Sequence, residues 1–271
     1  MSGHDTRAEP DGFSAVSLDV AEGVATVTFE RADQLNSLNL DLAEEIGDAV
    51  NDAAGAGARA VVLTGRGRAF CAGADLGMVS SALSDPHAVL TPLVEKLHTS
   101  IRQMRSTPIP IIAAVEGTAA GAGMGLALAA DLRVLGRSAT LLPAYMAIGA
   151  SPDGGVSAFL TRAVGAARAT SLLLTNHAVT AAEALDWGLA EEVTDDGGAL
   201  AAAQQLATSL TGTAPLALLR VRELVDTATA APLSQHLDLE QQRVTELWAT
   251  HDFGEGIRAF LERRRPGFTG R

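Results

Sequence analysis

The stretch from Pro110 to Val134, PIIAAVEGTAAGAGMGLALAADLRV, joins a short apolar run to a chain of alanines and glycines. The apolar run predicts a buried strand over Ile111–Val115, because it is short and is followed by a break at Glu116-Gly117. The alanine-rich run beyond the break predicts an apolar helix. The rest of the chain must therefore pack around a strand and a helix that are both buried.

Three glycines, at positions 121, 123 and 125, lie between that strand and that helix. They let a backbone or a ligand approach without obstruction by a Cβ atom. The start of the helix adds amide N–H groups that have no partner inside the helix, which makes a cradle for negative charge. Tight packing of the helix on the strand explains the glycines equally well. The spacing is not the dinucleotide-binding fingerprint, because no glycine follows six residues after the first.

The remaining sequence alternates strands and helices before it becomes helical. A hairpin is predicted over Ser14–Phe29 with its turn at Glu22-Gly23, then a helix over Leu38–Ala54 and a strand over Ala60–Leu63. This alternation implies crossover connections and a largely parallel sheet, so the fold class is α/β. We divide the chain into a disordered leader (1–12), an α/β core (13–196) and a helical C-terminal region (197–271).

Two local expectations concern segments within the predicted core. Residues 69–76, AFCAGADL, predict a short strand that bends through Gly73. Ser80 to Pro92 is polar and broken by proline, so we expect a mobile segment there and a helix only from Leu93 to Met104.

Composition narrows the class of protein. The chain has 271 residues, a net charge of −12 and one cysteine, Cys71. The negative charge argues against nucleic acid or an anionic membrane surface as a partner. The absence of a long apolar run and of a secretory h-region predicts a soluble cytoplasmic protein without a membrane span. No metal-ligand cluster, Walker loop or dinucleotide fingerprint is present, so we expect no cofactor.

The segments AFCAGADL and GTAAGAGMGLALAADLRV, about fifty residues apart, together resemble the crotonase (enoyl-CoA hydratase/isomerase) superfamily. The resemblance runs from GVATVTFERADQLNSLN near the start to FGEGIRAFLERRRPGFTGR at the end. It implies a core of stacked ββα units, a helical C-terminal trimerisation region, and assembly as a homotrimer or a dimer of trimers. It also implies an acyl-CoA thioester as the substrate, in which CoA is part of the substrate and not a cofactor.

The resemblance assigns site residues by motif. Two backbone amides, those of Ala74 and Ala122, would form the oxyanion hole for a thioester enolate. Such donors are effective in a dry site because they are already oriented toward the developing charge. The positions that would surround the CoA ester and its acyl group are Arg31, Gln34, Leu35, Ala72, Gly73, Asp75, Leu76, Gly121, Gly123 and Tyr145. The C-terminal arginines Arg263, Arg264 and Arg265 are, with Arg31, candidates for binding the CoA phosphates.

The family's hydratases carry two glutamates, and the matching positions here are Gly125 and Tyr145. A standard hydratase is therefore not expected. Asp153, in the sequence SPDGG, stands where several isomerases and the chlorobenzoyl-CoA dehalogenases carry a carboxylate. We expect it to act as the acid/base, although an aspartate before two glycines also suits a cap for the helix that begins at Val156.

Within the superfamily, the closest resemblance is to the 1,2-epoxyphenylacetyl-CoA isomerase-like group, which shares GxAAGAG, PD-x-GG and the C-terminal Phe-Thr-Gly. Such enzymes rearrange an epoxyphenylacetyl-CoA ester and move a double bond from 3-enoyl-CoA to 2-enoyl-CoA. Three alternatives stay open: a hydratase-like enzyme, a dehalogenase or thioester hydrolase with Asp153 as nucleophile and His98 as base, and a non-catalytic CoA-ester-binding protein.

Four further residues carry expectations of their own. We expect Tyr145 to form part of the pocket wall, with a hydroxyl contact to the acyl group as the alternative. His98 is expected on the exposed face of an amphipathic helix. Cys71 is expected to be buried as a small apolar side chain, and Trp187 and Trp248 to anchor helix packing.

Overall fold

The computed structural model describes residues 12–229 and 231–271. The predicted leader over residues 1–12 lies outside the described residues except for Gly12. In the described part the strands are β1 Val16–Ala21, β2 Val24–Phe29, β3 Ala60–Gly65, β4 Ile111–Val115, β5 Thr118–Ala120, β6 Leu132–Gly136, β7 Thr140–Leu142, β8 Val179–Thr180 and β9 Glu192–Thr194. The helices are α1 Leu40–Gly55, α2 Leu76–Ser81, α3 Pro86–Ser106, α4 Ala122–Ala129, α5 Val156–Thr175, α6 Ala181–Asp186, α7 Ala199–Leu210, α8 Pro215–Thr227, α9 Leu233–Trp248 and α10 His251–Glu262.

The strands form two sheets. The larger sheet has the order β1-β2-β3-β4-β6-β9, in which β1 and β2 are antiparallel and every later pair is parallel. The smaller sheet has the order β5-β7-β8. The predicted hairpin is confirmed, and its turn residues Glu22 and Gly23 both have positive φ, as a tight hairpin turn requires. The predicted α/β class with a largely parallel sheet is therefore confirmed.

Helices cover both faces of the larger sheet, because successive side chains of a strand point to opposite faces. On one face α7 places Ala203 against Val62 and Ile112. On the other face Leu63 and Ala113 belong to the main core, which also contains the buried sides of α1, α3 and α4. The alanine side chains of α4 and α7 let these helices lie close to the strands.

Two sequence expectations about the core are wrong. Ser80 to Pro92 is not an irregular segment, because α3 already begins at Pro86 and continues through Pro92. Asp85 caps this helix by accepting from the amide of Ala88 at 3.4 Å, and proline suits its first position because that N–H has no helical partner anyway. Residues 69–76 form no continuous strand either; only isolated bridges at Cys71 and Ala74 remain around a turn at Gly73.

The C-terminal tail is bound to α10 through two buried acidic side chains. Asp252 accepts from the amides of Thr269 and Gly270, each at 2.8 Å. Glu255 accepts from Arg264 at 2.6 Å and from the amide of Gly267 at 2.9 Å. The amides of Thr269 and Gly270 belong to the C-terminal Phe-Thr-Gly sequence, so this sequence is held against α10 by Asp252.

Trp248 does not anchor helix packing as expected, since 56% of it is exposed, together with other large apolar side chains of α9 and α10. Trp187 is half-buried against the main core, with the Arg168 guanidinium 4.6 Å from its ring centre.

Candidate active site

Hydrogen bonds of the Asn36 side chain fix the loop that forms one side of the candidate site. The Asn36 side chain is fully buried, accepts from the Arg31 amide at 3.0 Å and donates to the carbonyls of Arg66 at 3.0 Å and Ala69 at 2.7 Å. The carbonyl of Leu35 then accepts from the Ala72 amide at 3.0 Å. Sequence reasoning missed Asn36, because the carbonyls that it binds lie 30 and 33 residues further along the chain.

Backbone pairing continues along this loop and leaves the amide of Ala74 free. The Leu38 amide donates to Gly73 at 2.7 Å, and the Asp75 amide donates to Leu38 at 3.0 Å. The Ala74 amide between them has no acceptor in residues 12–229 and 231–271. A backbone N–H group that binds a ligand oxygen is expected to lack an acceptor within the protein, as this one does.

The two sequence motifs meet through β5. The Cys71 amide donates to Thr118 at 3.2 Å, and the Ala120 amide donates to the Cys71 carbonyl at 2.9 Å. A Cβ atom on Gly73 would lie 2.9 Å from the Ala120 carbonyl oxygen, and one on Gly123 would collide with the Cys71 carbonyl. These glycines are therefore required where the two segments pack together. Cys71 itself is fully buried, as expected, and burial raises the pKa of its thiol to about 12.

Ala122 is the first residue of α4, and no acceptor for its amide exists in the part of the chain that the structure describes. Gly121 precedes it with φ of 51°, a conformation that glycine adopts without strain. The structure thus places two unpaired amides, those of Ala74 and Ala122, at the ends of two segments joined by backbone hydrogen bonds.

The loop that carries Asp153 packs against the beginning of α4. A Cβ atom on Gly154 would lie 3.7 Å from the Ala122 Cα, and one on Gly125 would lie 2.6 Å from the Gly154 carbonyl oxygen. Asp153 is therefore adjacent to the segment with the free Ala122 amide. A side chain at position 125 has no space, because the Asp153 loop occupies it.

Asp153 does not cap α5 with its side chain. The residue before α5 is Gly155, and the Val156 amide donates to the Asp153 main-chain carbonyl at 3.0 Å. The carboxylate instead accepts a hydrogen bond of 2.8 Å from the Tyr145 hydroxyl at Oδ1. Tyr145 is 6% exposed, and its hydroxyl contact is to Asp153, a partner that the sequence did not suggest. Burial, and then the charge of Asp153, raise the pKa of the Tyr145 phenol well above its ordinary value.

His98 also differs from its expected place on an exposed helix face. Its Nε2 accepts from the Gly154 amide at 3.2 Å, so it contacts the residue directly after Asp153. A backbone N–H can only donate, so Nε2 carries the lone pair and the proton is on Nδ1. Helical periodicity could not reveal this contact, because Gly154 lies 56 residues further along the chain.

Of the four arginines proposed for CoA phosphates, Arg31 and Arg264 are engaged within the chain. Arg31 donates to Asp75 at 2.7 Å and to the Ser37 carbonyl at 2.9 Å, and Asp75 also accepts from the amides of Gly77 and Met78 at the start of α2. Arg31 therefore holds Asp75 in place and is not a free cation. Arg264 is paired with Glu255 and Glu262. Arg263 ends α10 and, like Arg265, is exposed.

The remaining predicted positions lie around the same backbone. Gln34 and Leu76 are exposed, whereas Leu35 and Ala72 are half-buried and joined by their hydrogen bond. No group of three or more His, Cys, Asp or Glu side chains that could hold a metal occurs in the described residues. None of the described helices is long and apolar enough to cross a membrane.

A family model described as enoyl-CoA hydratase/isomerase matches residues 19–271. The chain belongs to the enoyl-CoA hydratase/isomerase family. The crotonase resemblance and fold are thereby confirmed. A solved enoyl-CoA hydratase from a Polaromonas species shares the family fold, with a TM-score of 0.90 and 35% identity over 94% of this chain and all of that one.

Relatives within the family have different named activities. A protein named "Probable enoyl-CoA hydratase" from Rhodobacter capsulatus is 38% identical, over 96% of this chain and 99% of that protein. The 1,2-epoxyphenylacetyl-CoA isomerase of Escherichia coli is 35% identical, over 93% of this chain and 97% of that protein. Family membership thus establishes an enzyme type that processes acyl-CoA thioesters. The choice between hydratase and isomerase depends on the residues of the site.

Proposed function

We propose that this protein is an acyl-CoA isomerase that moves a double bond from 3-enoyl-CoA to 2-enoyl-CoA or rearranges an ester of the epoxyphenylacetyl-CoA type. The observation that carries the proposal is the packing of Gly154 on Gly125. It puts the Asp153 loop in the space where a family hydratase would hold its first glutamate. The second glutamate position is Tyr145, which donates to Asp153. One carboxylate suits proton transfer, whereas the hydratases hold their water with two.

In this reaction the thioester oxygen accepts hydrogen bonds from the amides of Ala74 and Ala122. Both are free in the described structure, so they are available as the substrate becomes an enolate. Asp153 removes a proton from C2, the electrons move through the double bond to give a dienolate, and the same proton returns at C4. Removing one such amide donor costs about 2.7–4 kcal/mol in activation free energy in enzymes of comparable chemistry.

We extend the proposal to cofactor and assembly. The double-bond shift moves only a proton and bonding electrons, and the ester rearrangement also involves no net oxidation or reduction, so we expect neither a redox group nor a metal. CoA is part of the substrate. The large apolar side chains exposed on α9 and α10 support a homotrimer or a dimer of trimers, because patches of this kind usually mark contacts between subunits.

Proton NMR with 3-hexenoyl-CoA in heavy water tests the isomerase. We expect conversion to the 2-enoyl ester, and the deuterium found at C2 and C4 measures how often Asp153 exchanges its proton with solvent before returning it. Asp153→Asn should abolish conversion while CoA-ester binding, measured by calorimetry, is retained. Unchanged turnover in that variant would exclude Asp153 as the base, and conversion to a 3-hydroxy ester by the wild type would identify a hydratase. An epoxyphenylacetyl-CoA ester is the second substrate to be tried.

A second candidate function has one observation in its favour, the contact of His98 with Gly154. It places an imidazole beside the Asp153 loop, as a hydrolytic mechanism with Asp153 as nucleophile would need. In the described structure, however, Nε2 already accepts a backbone hydrogen bond. Turnover of a 4-chlorobenzoyl-CoA ester in ¹⁸O water separates the two functions, since only nucleophilic catalysis labels the Asp153 carboxylate.

A further inference from the structure

Tyr145, which is buried, and Asp153, which is half-buried, form a hydrogen-bonded pair that the proposed reaction, as described so far, does not require. The hydroxyl lies 2.8 Å from Oδ1 of Asp153 and 3.3 Å from its main-chain carbonyl oxygen. Tyr145 is almost completely buried, and the amides of Ile148 and Ala150 both donate to its carbonyl at 3.1 Å. The phenol is therefore held by its backbone as well as by its ring.

The phenol acts as a hydrogen-bond donor in this pair. The pKa of Tyr145 is raised, first by burial and then by the neighbouring carboxylate, so the hydroxyl keeps its proton at neutral pH. A hydroxyl has a single proton to donate, and the shorter contact, to Oδ1, has the better geometry. In the described residues Oδ2 of Asp153 receives no hydrogen bond. One oxygen of the carboxylate is thus anchored and the other is free.

A second contact holds the peptide that follows. His98 reaches from α3 and accepts the Gly154 amide at Nε2, while Gly154 itself has φ of 54° and packs between Leu97 and Ala122. The side chain of Asp153 is therefore oriented from one direction by Tyr145, and its backbone from another by His98.

We propose that Tyr145 and His98 are positioning residues that fix Asp153 so that a single oxygen, Oδ2, both removes and returns the substrate proton. This inference rests on the proposed isomerase function. A carboxylate anchored at one oxygen cannot rotate toward bulk water between the two steps. The proton removed from C2 is then delivered to C4 before it exchanges with solvent. Tyr145 neither gains nor loses a proton in the cycle.

The first test needs no substrate, because Tyr145 is the only tyrosine in the chain. Protein labelled with ¹³Cζ-tyrosine gives one resonance, which reports hydrogen bonding and ionisation of this phenol. We expect Asp153→Ala to shift that resonance at pH 8 and to move the ionisation of the phenol to lower pH. A resonance and an ionisation midpoint that do not change would overturn the pairing.

The second test measures catalysis. In Tyr145→Phe we expect kcat for 3-hexenoyl-CoA to fall roughly 10- to 100-fold, as a small misplacement of a reacting group does, with KM within a few-fold of the wild type. In heavy water the fraction of product with solvent deuterium at C4 should rise. His98→Leu should act similarly, and His98→Gln, which keeps an acceptor, should restore most of kcat. Ser100→Ala is the matched control, since it removes a buried hydroxyl that faces α1.

The outcomes separate the two proposals. A wild-type kcat and deuterium pattern in Tyr145→Phe would refute the positioning role while the isomerase assignment stands. If the wild-type protein neither exchanges C2 protons nor isomerises any ester, the isomerase assignment fails, and with it the role of Tyr145, even where the ¹³C shift confirms the pair.

Discussion

Gly125 and Gly154 pack so closely that a Cβ atom on Gly125 would lie 2.6 Å from the Gly154 carbonyl oxygen. A glutamate side chain at position 125, where the family resemblance expects one in a hydratase, would therefore overlap with the loop that carries Asp153. Installing a glutamate at 125 would require the Asp153 loop to move. The single substitution Gly125→Glu therefore does not fit the present backbone.

The first prediction concerns Gly125→Ala. The added methyl group must displace the Gly154 backbone, so we expect a loss of about 1–3 kcal/mol in the free energy of unfolding, as for other overpacked sites. Because the displaced segment carries Asp153, kcat should fall as well. Chemical denaturation and steady-state kinetics measure both. Gly55→Ala is the control, because nothing lies within 4 Å of its added methyl group. Equal effects in the two variants would contradict the packing argument.

The second prediction concerns Asp75, which caps α2 and pairs with Arg31 directly after the free Ala74 amide. Asp75→Ala should lower the free energy of unfolding by about 1 kcal/mol, a typical loss for an N-cap. It should also lower kcat, because the Ala74 peptide loses its anchor. Asp75→Asn keeps the cap and should retain more activity.

A suitable comparison for Asp75 is Arg66→Ala, which breaks the ion pair between Arg66 and Glu30, in which the arginine side chain is 60% exposed. Exposed ion pairs contribute little to the free energy of unfolding, so this variant should resemble the wild type in both stability and kcat. Full activity in Asp75→Ala would show that the loop does not depend on the cap.

The third prediction concerns acid pH and the C-terminal tail. The hydrogen bond from Arg264, followed by that from the Gly267 amide, lowers the pKa of Glu255 from about 4.5 to about 2. A depressed carboxyl pKa contributes stability above its unfolded value and loses it as pH falls toward its folded value. The difference in Tm between wild type and Glu255→Gln should therefore be full at pH 7 and shrink between about pH 4.5 and pH 2. Ser209→Ala, at an exposed position without a titratable group, is the control and should show no such pH-dependent difference.

The fourth prediction concerns assembly. Phe260 and Trp248 are 82% and 56% exposed, on α10 and α9. If these helices join subunits, the double variant Phe260→Glu/Trp248→Glu should reduce the molar mass measured by light scattering from an oligomer toward a monomer. Leu174→Glu, at an exposed leucine of α5, is the control. A wild-type chain that is already monomeric would refute the trimer.

Sequence reasoning identified the two backbone segments of the candidate site, because local patterns encode both of them. The glycines at 73 and 123 and the short apolar strands specify close packing wherever they occur. The two motifs could therefore be assigned to one site, and the structure brings them together through the bridge between Cys71 and Ala119. The same local patterns gave the hairpin and the parallel strands.

The side-chain contacts around that backbone could not be predicted in the same way. His98 was expected at the surface and Tyr145 in the pocket wall. Both side chains contact the loop at 151–155, and the path of that loop cannot be deduced from the residues next to them in the sequence. Arg31 was expected to be free for a phosphate because its partner Asp75 lies 44 residues away. The prolines at 86 and 92 suggested a break in secondary structure. In the structure Asp85 instead caps α3, and Pro86 is the first residue of that helix.

The free N–H groups of Ala74 and Ala122 belong to the main chain, so most substitutions at these two positions leave them in place. No ordinary side-chain replacement at Ala74 or Ala122 deletes an N–H group; among the coded amino acids only proline does so. In a saturation library, serine or glycine at these positions should therefore be nearly silent, and proline should be inactive. Under the proposed function, binding of the thioester oxygen would therefore survive most point mutations at these two positions, whereas the proposed roles of Asp153 and Tyr145 would be lost with their side chains.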